Sequence, residues 1–116
     1  MTRLRIATAQ FPVSADIGRN LKYMRELTGQ AKDLRGDVVH FSETCLGGYA
    51  GTEIKSWDTY DWRLLESAER SLVQLSKELR IGIIYGTNRR VSADDIRNSL
   101  VYVSARGKRV AHYDKR

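Results

Sequence analysis

A carboxylate, a thiol and an ammonium group stand where the chain pattern could bring them to one place. Glu43 closes the run Val38-Val39-His40-Phe41-Ser42-Glu43 and leads at once into Thr44-Cys45-Leu46-Gly47-Gly48-Tyr49. Residues 38–41 can form a buried strand, which puts Glu43 at the strand's carboxyl end, beside a glycine turn. Burying an unpaired carboxylate is costly, whereas ligands of open α/β sheets bind beyond the carboxyl ends of the strands. Glu43 therefore reads in two ways. It is either a capping or salt-bridged carboxylate, or a general base with its pKa raised in a dry corner. The glycine turn favours the second, because it lets substrate or backbone come close.

Lys115 follows His112-Tyr113-Asp114 at the end of the last expected strand. Alone it is a solvated charge; paired across a sheet with Glu43 it is a fixed cation able to stabilise an oxyanion. Cys45 is the only thiol. Free cysteines are among the most buried residues, so a core role is the plain reading. A nucleophilic role stays open, because in an extended segment Glu43 and Cys45 would face the same side. His40, Glu43, Cys45 and His112 could ligate a metal, but His-x-x-Glu-x-Cys matches no zinc spacing. Strand alternation would also send His40 and Glu43 to opposite faces. Both histidines are expected to be satisfied structural residues, with no metal and no cofactor.

The elements that must position these groups come from hydrophobic period. Residues 4–10 (LRIATAQ) read as an inner strand buried on both faces, ended by Pro12. Ser14, Asp16 and Gly18 offer helix starts. Leu21, Met24, Leu27, Thr28, Ala31 and Leu34 then recur at helical spacing, and Gly36 offers a left-handed stop. After the strand at 38–41, residues 47–60 form a long loop, with room for a short helical turn. Loops of that length are usually functional or disordered. A second helix runs over 62–79, with Leu65, Ala68, Leu72, Leu75 and Leu79 on one face. Residues 81–86 (IGIIYG) form a third strand, 89–97 a polar connection, and 98–104 with 109–113 a hairpin closed by Ala105-Arg106-Gly107-Lys108. The order β-α-β-α-β plus a hairpin is an α/β pattern, one helical layer on a mixed sheet.

Composition narrows the class. The chain of 116 residues suits one core, and with 41% hydrophobic residues and one proline it reads as globular. No apolar run is long enough to span a membrane. Neither a signal peptide nor a membrane partner is expected. One cysteine permits no intrachain disulfide, which fits a reducing, cytoplasmic setting. The net charge of +6 is spread along the chain without interleaved aromatic residues, so a solvated basic surface is favoured over nucleic-acid binding.

Taken in order, these segments resemble the nitrilase or carbon–nitrogen hydrolase superfamily. Ile6-Ala7-Thr8-Ala9-Gln10 is similar to its first strand, and Asn20-Leu21 to the helix that follows. Phe41-Ser42-Glu43 with Leu46-Gly47-Gly48-Tyr49 resembles its catalytic-glutamate motif. Asn98-Ser99 and Tyr113-Asp114-Lys115 resemble the segment carrying its catalytic lysine. The resemblance implies a four-layer αββα sandwich, with residues 1–116 as the N-terminal portion of the domain. It also implies hydrolysis of amides, nitriles or related small carbon–nitrogen compounds by a Glu–Lys–Cys triad without metal. Glu43 would be the base, Lys115 the stabilising cation and Tyr49 a substrate-binding residue.

Two departures stand out. Ser42 occupies the usual proline position. The family's nucleophilic cysteine lies beyond the lysine, so Cys45 does not match it and the chain would need a complementing C-terminal segment. Members usually form homo-oligomers. Two other readings are a non-catalytic half-sandwich used for binding or assembly, and a basic nucleic-acid-binding α/β domain.

Overall fold

Two amphipathic helices lie on one face of a five-stranded sheet in the computed structural model, which describes residues 3–116. Strand β1 (Ile6–Thr8) leads to helix α1 (Ile17–Asp33), then β2 (Val38–His40), helix α2 (Trp62–Leu79), β3 (Gly82–Ser92), β4 (Asp95–Val103) and β5 (Arg109–Asp114). The sheet order is β1-β2-β3-β4-β5. β1, β2 and β3 are parallel, while β4 is antiparallel to both β3 and β5. Consequently β2, β3 and β5 all run the same way, and their carboxyl ends share one edge of the fold.

Helix α1 starts where a carboxylate can hold its first amides. The Asp16 side chain accepts the Arg19 N–H, a cap worth about 1 kcal/mol. Its buried face is Ile17, Asn20, Met24, Thr28 and Ala31, while Leu34 is 71% exposed rather than closing the stripe. The left-handed residue after α1 is Arg35 (φ 63°), not Gly36. Gly36 is needed for another reason: a Cβ there would sit 2.9 Å from the Ala31 carbonyl oxygen. Helix α2 follows the expected stripe, with Leu65, Ala68, Leu72 and Leu75 packed on Ile83, Tyr85, Val101 and Val103.

Several strand expectations change. β1 is short and sits at the sheet edge, with Ile6 exposed instead of buried on both faces. The segment 89–97 is not a loop: β3 and β4 continue through it as one long hairpin. Its charged side chains hid this from a hydropathy reading, because they pair with one another. Arg89 and Arg97 both bind Asp114, and Arg97 also binds Asp95. Residues 47–60 form turns and one isolated bridge, Ala50 to Ile54, with a single helical turn where the Glu53 N–H donates to the Tyr49 carbonyl at 3.0 Å.

The sheet face away from the helices is left open. Strand register places Ile6, His40, Ile84, Leu100, Tyr102 and Tyr113 on it. Tyr113 is 60% exposed there. An apolar face of this kind drives association. This 116-residue chain in isolation is therefore expected to self-associate by light scattering; a monodisperse monomer with a cooperative melt would contradict a half-sandwich.

Candidate functional site

Glu43 and Lys115 meet. The Lys115 Nζ donates to Glu43 Oε1 at 2.7 Å across 72 residues of sequence. Both groups leave carboxyl ends of co-directional strands. Lys115 directly follows β5, and its own N–H donates to the Asn98 carbonyl at 2.8 Å. Strand alternation sets Lys115 on the open face with Tyr113 and turns Asp114 to the opposite side. There Asp114 takes bonds from Arg89, Arg97 and the Ser99 hydroxyl, first among them Arg89, which holds its carboxyl far below the usual range. The strand end carrying Lys115 is thus clamped from behind.

The dry corner expected around Glu43 is absent. Its side chain is 45% exposed, and that of Lys115 is 55% exposed. The hydrogen bond to the Glu43 carboxylate, with that carboxylate's charge behind it, raises the Lys115 pKa above the ordinary lysine value, so it remains an ammonium at neutral pH. The Tyr49 ring centroid lies 5.8 Å from Nζ, within cation–π range. A largely apolar cleft of about 410 Å³ opens beside the pair, lined by His40, Ser42, Leu100 and Tyr113 among others. His40 and Glu43 share this cleft. Alternation failed to predict that because β2 ends at His40 and Glu43 already lies in a turn.

One glycine on β3 makes the turn possible. Segment 42–44 crosses Gly86 so closely that a Cβ there would lie 2.2 Å from the Thr44 nitrogen and 2.7 Å from the Ser42 carbonyl oxygen. Thr44 itself is left-handed at φ 48°, which costs a non-glycine residue about 1–2 kcal/mol. The sequence reading missed Gly86, although a glycine inside a β-run signals close backbone approach. Gly86→Ala is expected to destabilise the fold by about 1–3 kcal/mol and to displace Glu43 from Lys115; an unshifted thermal melt would show that the turn gives way freely.

Cys45 faces inward. It is fully buried, with Sγ 3.8 Å from Met24 Sδ and 3.7 Å from the Gly86 carbonyl oxygen. Burial pushes its thiol up to about 12. That is the opposite of an activated nucleophile. The folded thiol keeps its proton between its ordinary 9.0 and about 12 while the unfolded one releases it, so stability falls as pH rises through that window. Cys45 is expected to react slowly with iodoacetamide near neutral pH; fast stoichiometric alkylation would restore it as a nucleophile.

His40 and His112 are both exposed, not the satisfied structural histidines expected. Among the described residues no three His, Cys, Asp or Glu side chains are grouped to hold a metal. Also among these residues, no helix is long and apolar enough to cross a membrane. Arg89, Arg97 and Arg109 face Asp114, Asp95 and Glu69, so the charge of these three arginines is locally compensated.

A mixed sheet under one helical layer, with a Glu–Lys pair beyond its co-directional strand ends, defines an α/β fold of the nitrilase kind. An amidase from Nesterenkonia sp. superposes on 97% of this chain with a TM-score of 0.84 at 17% identity, the match covering 42% of the amidase. The NitN amidase of Nesterenkonia sp. AN1 matches over 97% of this chain and 44% of its own, with a TM-score of 0.85 and 17% identity. A cysteine-to-alanine variant of the AN1 amidase, solved in complex with butyramide, gives 0.84, 17%, 97% and 42% for the same four measures. At such identities the likeness establishes the fold alone. The chain belongs to the carbon–nitrogen hydrolase family, whose model matches residues 5–116. No curated protein sequence matches it. The chain spans less than half the length of the solved amidases it resembles.

Proposed function

We propose that this chain carries the base and the stabilising cation of an amidase-type carbon–nitrogen hydrolase. The observation that supports this most is the 2.7 Å contact between Glu43 and Lys115 at the mouth of an apolar cleft. In this reading Glu43 takes the proton of an attacking thiol, and the thiolate adds to the amide carbonyl carbon. Lys115 holds the resulting oxyanion. Collapse expels the amine, which leaves with the proton that Glu43 returns. Water, deprotonated by Glu43, then attacks the thioester; the acid departs and the thiol is restored.

The thiol is not Cys45, which is buried away from the cleft with its proton held tightly. The reading needs a thiol carried outside these 116 residues, so the chain alone is expected to be inactive. The open sheet face is where a complementing segment would pack. Small aliphatic amides are the proposed substrates, in keeping with the largely apolar cleft, and the single reduced cysteine keeps a cytoplasmic setting as the expectation. Ammonia release from short amides by the hydrolase containing this chain tests the reading. Absence of turnover with the fold intact would favour the alternative of a half-sandwich used only for assembly.

A further inference from the structure

Two residues beyond Gly86 on the same face of β3 lies Asn88, which is 4% exposed. Its Nδ2 donates to the Gly48 carbonyl at 2.9 Å, forty residues away in sequence. The backbone comes down onto it closely. A Cβ on Gly47 would lie 2.8 Å from Asn88 Nδ2 and 2.4 Å from the Tyr60 hydroxyl, and Gly48 is left-handed at φ 91°. The Tyr60 hydroxyl in turn donates to the Gly47 carbonyl at 2.9 Å. β3 thus works as a ruler: Gly86 leaves room for the Glu43 turn, and Asn88 pins the strap that follows it. The next residue on that strap is Tyr49, whose ring stands 5.8 Å from Lys115 Nζ. Asn88, Tyr49, Trp57, Asn98 and Lys115 line one cleft of about 350 Å³ on this side of the pair.

We infer that Asn88 is a positioning residue: through the Gly48 carbonyl it holds Tyr49 beside Lys115 and so sets how an amide is held at the Glu43–Lys115 pair. The substrate part of this rests on the hydrolase reading above, while the positioning rests on the hydrogen bond itself. An amide donor is needed at this site. An aspartate in its place would set a carboxylate against a carbonyl oxygen, and an alanine would leave that buried carbonyl unpaired, so the strap would lift toward water.

In the hydrolase containing this chain, Asn88→Ala is expected to raise KM for short aliphatic amides about tenfold while kcat changes by less than about threefold. In a Tyr49→Ala background it should add little, because both changes act through one ring. Nuclear Overhauser contacts between the Tyr49 ring and the Lys115 side chain should vanish in the folded variant. Asn88→Asp, which keeps the shape and removes the donor, gives the same reading if Asn88→Ala does not fold. Intact Tyr49–Lys115 contacts in a folded variant, or KM losses that multiply with those of Tyr49→Ala, would overturn the inference. If the wild-type hydrolase cleaves no amide, the functional reading falls and the contact measurement still decides the positioning.

Discussion

Glu43→Gln, in the hydrolase containing this chain, is expected to lower amide turnover by ~10²–10⁴-fold, the scale of a lost general base. Gln keeps the size of the side chain and can still meet the Lys115 ammonium through its amide oxygen, so the fold should persist. What disappears is the acceptor for the thiol proton. A neutral thiol is a weak nucleophile near pH 7, and the added step of ionising it without help falls on kcat. Steady-state ammonia release measures the loss, and a thermal melt close to wild type separates it from unfolding.

Lys115→Met is expected to cost about 10²–10³-fold in turnover, the range for removing one oxyanion-stabilising group. Met keeps much of the length and packs against the Tyr49 ring, which now stands 5.8 Å from the Lys115 ammonium. The charge that offsets the oxyanion is gone, so the barrier rises while ground-state binding changes little. The folded protein should survive, because the pair is half exposed and such ion pairs contribute little to stability. A kcat loss with KM nearly unchanged is the expected signature.

How far the sequence led to this site depends on which force fixed each element. Apolar period exposed both helices, since each buries one stripe: α2 runs over Trp62–Leu79 as its leucine spacing indicates. Their places after strands made Glu43 and Lys115 candidates, the family resemblance paired them, and the structure brings their side chains into contact. The hairpin over Arg89–Arg97 was not legible, because its order comes from arginine–carboxylate pairs rather than from burial. Leu4 and Ile6 misled for the converse reason: apolar residues marked an inner strand, yet β1 lies at the edge and both are exposed. Gly86 and Asn88 stayed hidden because their importance is set by backbone crossing over β3 from a segment forty residues earlier, a contact no local period records.

The central claim is that Glu43 and Lys115 act together on one reacting carbonyl. A double-mutant cycle on ammonia release tests it most directly, comparing Glu43→Gln, Lys115→Met and the two combined. Residues that act as a unit lose their effect together, so the double variant is predicted to be little worse than the less active single one. Wild-type amide hydrolysis in either single variant, or losses that multiply fully in the double, would contradict a shared site.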